Sequence, residues 1–97
     1  MNSKSYEKRH GMNFSEALGE LKAGERVARP GWNGKGMWLI LIPGSTVTVR
    51  GRPLASGFDV GSVIKYLPHI DMKAVDGSVV PWVASQTDIL AEDWEIV

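Results

Sequence analysis

Residues 70–82, IDMKAVDGSVVPW, read as two strands and the turn that joins them. Ile70, Met72 and Ala74 alternate with Asp71, Lys73 and Val75, the two-residue period of a strand with one buried face. Asp76-Gly77 is a pair favoured in primed hairpin turns, and the β-branched Val79 and Val80 then resume an extended chain. Pro81 has no amide to give to a ladder, so it belongs on an edge or at a strand end, with Trp82 at the bend beyond it. An antiparallel sheet is the expected core.

Upstream, Met37–Ile42 is a continuous apolar run of strand length, turned by Pro43-Gly44 into the β-branched segment Thr46–Val49. These two are expected to pair with each other. Arg26–Arg29 is a short strand candidate, Gly51–Gly61 a glycine-rich surface loop, and Ser62–Tyr66 the strand after it. Two helices flank the sheet. Phe14, Ala17, Leu18 and Leu21 fall on one helical face; Asn13 and Glu16 can form a capping box, and Gly24 supplies the left-handed stop. Ser85, three residues before Asp88, opens a short second helix through Ala91, and Trp94–Val97 closes the chain as a strand. The fold class is α+β: a small antiparallel β-sheet with an N-terminal helix and a short C-terminal helix.

Ninety-seven residues make one domain with a thin core, which association with further copies would thicken. Residues 1–11, polar and without an apolar stretch, are expected to be a flexible extension and not a secretory signal; residues 12–97 form the single domain. No run approaches the ~20 apolar residues of a membrane-spanning helix. The absence of cysteine removes disulfides, thiolate catalysis and cysteine metal sites. Net charge is zero but polarised: Arg26, Arg29, Lys35, Arg50 and Arg52 fall in an acid-free segment, whereas six acids face only Lys73 from Leu67 onward. A handful of scattered cations suits a small anion and not duplex nucleic acid, which demands many phosphate contacts on one face.

A nucleotide site needs a flat apolar surface for the base, cations or amides for phosphate, and a polar group for ribose. Trp32 lies between Pro30-Gly31 and Asn33-Gly34, where an indole either stacks on a ligand or folds over the core as a lid. Arg29 and Lys35 flank it and could meet phosphate, or could be solvated surface charges. Trp82 precedes the helix start at Ser85, whose free amides suit oxygen ligands. Trp38 and Trp94 are expected in the core. His69 and Asp71 share a strand face, where the acid could orient a general base, but no nucleophile accompanies them; a structural role for both is the alternative. Metal binding has no support, since the second histidine, His10, falls in the extension. The run Gly31–Gly36 lacks the length, the Ser/Thr and the following helix of a triphosphate-binding loop.

Four blocks, NFSEAL (13–18), VARPGWNGKG (27–36), PHIDMK (68–73) and PWVASQTDILAEDW (81–94), resemble the Thoeris anti-defence two family across roughly residues 12–97. The resemblance implies a small phage or prophage protein that sequesters cyclic ADP-ribose isomers made by bacterial TIR enzymes. In some members cyclic dinucleotides are bound as well; the ligand is not cleaved and no cofactor is used. It also implies an antiparallel fold assembled as a homotetramer, with pockets between protomers, in the cytoplasm of the infected host. By matching motif, Trp32 and Asn33 would contact the ligand, Trp82 with Ser85, Gln86 and Thr87 would close the pocket, and Asp88 would be a lesser member. Arg29 would meet phosphate or pair with the acidic C-terminal half. The competing functions are a structural or protein-interaction module of a phage and, more remotely, a hydrolase built on His69 and Asp71.

Overall fold

The computed structural model describes residues 9–32 and 36–97. Helix α1 (Phe14–Lys22) starts where the sequence places it. Asn13 accepts from the Glu16 amide at 2.9 Å and Glu16 returns a bond to the Asn13 amide at 3.1 Å, a complete capping box. It ends in a Schellman motif: Gly24 at φ +95° lets the Glu25 amide reach the Glu20 carbonyl and its own amide reach Leu21. Strand β1 (Val27–Ala28) follows, then β2 (Trp38–Ile42), β3 (Ser45–Thr48), a helical turn at Leu54–Ser56, β4 (Val63–Tyr66), β5 (His69–Lys73), β6 (Val79–Pro81), α2 (Gln86–Leu90) and β7 (Glu95–Ile96).

Five strands form one antiparallel sheet in the order β6-β5-β2-β1-β7. The expected hairpin β5–β6 is present with Met72 opposite Val80, and Pro81 ends the edge strand. Its connection differs from the expected primed turn. Ala74 and Ser78 bracket a three-residue loop in which the Gly77 amide bonds the Ala74 carbonyl and Gly77 takes φ +91°. That geometry absorbs one more residue than a two-residue turn.

The expected pairing of β2 with the segment after Pro43-Gly44 is not formed. β2 pairs with β1 and β5, while β3 pairs with β4 as a separate two-stranded arm. Leu39 and Leu41 of β2 need partners that also bury apolar side chains, and Met72 and Ile70 of β5 stand directly opposite them. STVT of β3 carries no such alternation, and all four of its residues are exposed. The chain leaves and re-enters the body side by side at Gly44, where an added Cβ would lie 2.8 Å from the Tyr66 carbonyl oxygen. The segment Gly51–Gly61, expected as loop, contains the helical turn, and Val49, expected at the end of the strand before it, is fully buried at the tip of the arm.

The core lies between α1 and one face of the sheet: Met12, Ala17, Leu21, Val27, Leu39 and Trp94 are buried together. The opposite face carries Trp38, Ile40 and Ile42, with Lys73, Asp71 and His69 as their cross-strand partners and Ala28 and Glu95 paired alongside. No helix among the described residues covers this second face. The Asp71 Oδ1 atom there is buried without a hydrogen-bond partner. Residues 1–8 of the expected extension lie outside the described residues. Arg9 is held, its carbonyl by the Ile96 amide and its guanidinium by Glu16 and Glu20 at 2.8 and 2.7 Å.

Candidate functional site

Trp94 organises the aromatic residues. It is fully buried, and its ring meets Phe14 at 5.4 Å, Trp32 edge-on at 5.4 Å and Trp82 edge-on at 6.1 Å. Edge-to-face contact places the positive rim of one ring on the negative face of another. Trp32 and Trp82 are half-buried and pack against the core through Trp94.

Short α2 sits beside this cluster, started by Ser85, whose hydroxyl accepts from the Asp88 amide at 3.1 Å. Asp88 then serves both indoles. Its Oδ1 accepts from Trp32 Nε1 at 2.9 Å, and its backbone carbonyl accepts from Trp94 Nε1 at 2.9 Å. The same Oδ1 takes a charge-assisted bond from Arg29 Nη1 at 2.7 Å, while Arg29 Nε donates to Asp93 at 2.6 Å. Burial raises the Asp88 carboxyl, but the bonds from Trp32, Arg29 and Ser85 and the charge of Arg29 outweigh it, leaving the group below its ordinary value. The bond to Asp93 and that to Asp88 push Arg29 upward, so it stays charged.

A cavity of about 320 Å³ opens beside Trp32. It is lined by Arg29, Pro30 and Trp32 together with Ala28, Trp38 and Glu95 of the sheet's uncovered face, and by Val97. Arg26 stands 5.0 Å and Lys73 5.9 Å from the centre of the Trp38 ring, and Lys73 Nζ also holds the Gly36 carbonyl at 3.0 Å. Neither cation is within ion-pair distance of an acid among the described residues.

Set against the sequence expectations, Arg29, Trp32 and Asp88 come together as one hydrogen-bonded unit. Arg29 forms the expected ion pair with the acidic C-terminal half, through Asp88 and Asp93. Trp82 shares Trp94 with Trp32 but does not line the cavity; Ser85, Gln86 and Thr87 are exposed at the start of α2. Asn33, Gly34 and Lys35 lie outside the described residues. Trp38, expected in the core, is half-buried and forms a cavity wall. Asp93 and Glu95 were not singled out by sequence; the acid-free segment opposite an acidic half was the one available signal. His69 Nε2 lies 3.4 Å from Asp71 and its Nδ1 3.3 Å from the Leu67 carbonyl; among the described residues these are its polar partners. No group of metal-binding side chains is gathered among the described residues, and no helix there is long and apolar enough to cross a membrane.

Fold and cavity together define a small α+β domain with an open, aromatic-walled cleft of ligand size. Residues 12–97 match the family model Tad2-like, described as the Thoeris anti-defense 2-like domain. A curated protein named Thoeris anti-defense 2, from Bacillus phage SP01, is 45% identical over 91 residues, covering 89% of this chain and 94% of the relative. The chain belongs to the Thoeris anti-defense 2 family, a family of phage anti-defence proteins.

Proposed function

We propose that the protein acts as a sponge, binding a phosphate-bearing cyclic nucleotide signal of the infected host and holding it uncleaved in the host cytoplasm. Cyclic ADP-ribose isomers are the first candidates and cyclic dinucleotides the second. The observation that carries this reading is the cavity of about 320 Å³ lined by both Trp32 and Trp38. Ligand sites run from roughly 300 to 1,000 Å³ and are apolar with a few convergent polar groups. Trp32, with Asn33 beside it in sequence, offers a stacking surface. Arg26 and Lys73, in no ion pair among the described residues and poised over Trp38, are the cations for phosphate; Arg29 is occupied by Asp88 and Asp93. Glu95 is available to ribose hydroxyls.

The same reading includes assembly of four copies. The cavity opens on the uncovered sheet face, where Ile40 and Ile42 are only half-buried and Asp71 Oδ1 has no partner. Buried acceptors are almost always paired, and a neighbouring protomer would supply both the cover and the donor. Trp82 and the Ser85–Gln86–Thr87 turn would then close a pocket between protomers. No group of metal-binding side chains is gathered among the described residues, and the hydrogen bonds of His69 suit a structural role; sequestration needs no proton transfer.

Thermal shift against cyclic ADP-ribose isomers and cyclic dinucleotides tests the reading. Ligand at one hundred times Kd adds roughly 2.7 kcal/mol, and the shift is expected to vanish in Trp32→Ala and Trp38→Ala. No shift with any of these ligands would favour the second reading, a protein-interaction module of a phage. That reading draws on Phe58, Val60, Val63 and Leu67, exposed on and beside the arm.

A further inference from the structure

Asp88 sits one bond away from the cavity wall, not in it: the cavity is lined by Trp32, and Asp88 holds Trp32 from behind. Three of its atoms are engaged. Its amide goes to Ser85, its carbonyl receives Trp94 Nε1, and its Oδ1 receives both Trp32 Nε1 and Arg29 Nη1. An indole has a single N–H donor, so this bond, with the edge contact on Trp94, fixes how the ring of Trp32 faces the cavity. Trp32 otherwise follows a turn closed by its own amide on the Arg29 carbonyl, and such a turn leaves the side chain free to rotate.

Resting on the binding reading above, we infer that Asp88 is a positioning residue for ligand capture. It presents the Trp32 indole in its stacking orientation through Nε1, with Arg29 and Asp93 bracing it, and makes no contact with ligand itself. The carboxylate is shared between the indole and the guanidinium, and the second acid, Asp93, keeps Arg29 from drawing Asp88 away. Sequence motif alone would place Asp88 among the ligand contacts; the geometry points to a role one layer out.

A double-mutant cycle separates the two roles. Trp32→Phe keeps an aromatic face but loses the N–H, so it removes whatever Asp88 does through that bond. Calorimetry with cyclic ADP-ribose isomers is expected to show Asp88→Ala weakening binding by roughly tenfold. The double variant should bind no more weakly than Trp32→Phe alone. Asp88→Asn, which keeps an acceptor for the indole, should recover most of the loss. Losses that multiply in the double variant, or Asp88→Ala binding as the parent does, would overturn the inference.

A ligand-free readout keeps it apart from the binding reading. In a heteronuclear NMR spectrum the Trp32 indole N–H should be protected from solvent exchange in the parent and in Asp88→Asn, and lose protection in Asp88→Ala. If the parent binds none of the nucleotides while that pattern holds, the binding reading fails and the positioning of Trp32 stands. Unchanged protection in Asp88→Ala contradicts it.

Discussion

At the scale of single residues, two side chains hold the site together, one apolar and one charged. Trp94 touches Phe14, Trp32 and Trp82, and gives its N–H to the Asp88 carbonyl. Truncating a buried tryptophan typically costs about 3–5 kcal/mol. Trp94→Ala is therefore expected to lower unfolding free energy by that order in urea titration, with loss of the near-UV signal of all the packed indoles. The charged member is Asp88. Its carboxyl lies below the ordinary value in the folded state, so the stability it contributes is present above the unfolded pKa, about 4, and disappears as pH falls through the lower folded value. The melting temperature should stay level from neutral pH to about 5 and drop below about 4. Asp76, held down by the hydroxyl and amide of Ser78, titrates in the same window. The decisive comparison is thus with Asp88→Asn, which should show a shallower acid fall; an identical fall would assign the loss to other carboxylates. Trp32 and Asp88 were both singled out from motif, and the structure joins them by a hydrogen bond. Asp93 and the wall formed by Trp38 were not, because a sequence shows which residues carry charge or an indole but not which strand face they occupy.

At the scale of elements, the helix caps were read correctly because their controlling bonds are local, whereas Asp76-Gly77 signalled a turn but not its three-residue form. The Asn13–Glu16 capping box, the Gly24 stop and the Ser85 cap all span a few residues, and all three are formed. Helix α2 has five residues and depends on its cap, so Ser85→Ala should cost about 1 kcal/mol and weaken ligand binding with it, since the Asp88 amide loses its acceptor. Unchanged binding in Ser85→Ala would separate α2 from the site. Strand pairing was legible only for β5–β6, joined by a tight turn. The partner of β2 lies about thirty residues away in sequence, and nothing near Pro43-Gly44 signals that the chain departs into an arm. Gly44 is the price of that departure: its Cα faces the Tyr66 carbonyl so closely that Gly44→Ala must shift backbone at the root of the arm.

For the whole molecule, the shape itself requires explanation. The radius of gyration is 17.0 Å, against about 13 Å for a compact chain of 100 residues. The arm β3–β4 packs against no other helix or strand among the described residues, and Val63 and Leu67 are each 67% exposed on or beside it. A thin core, an uncovered sheet face and an apolar arm are the features that support the proposed assembly. Light scattering at micromolar concentration is expected to give four times the protomer mass, reduced by Val63→Asp or Leu67→Asp on the arm. A parent protein that scatters as a monomer would remove the assembly from the account.

Capture without chemistry leaves the bound nucleotide intact, and the intact nucleotide can be recovered and identified. The protein is titrated with cyclic ADP-ribose isomers by calorimetry, then the saturated complex is heat-denatured and the released nucleotide is analysed by chromatography and mass spectrometry. Saturable binding that Trp32→Ala abolishes is expected, followed by quantitative recovery of the intact cyclic ligand. Recovery of an opened or hydrolysed product, or saturable binding that persists undiminished in Trp32→Ala, would contradict it.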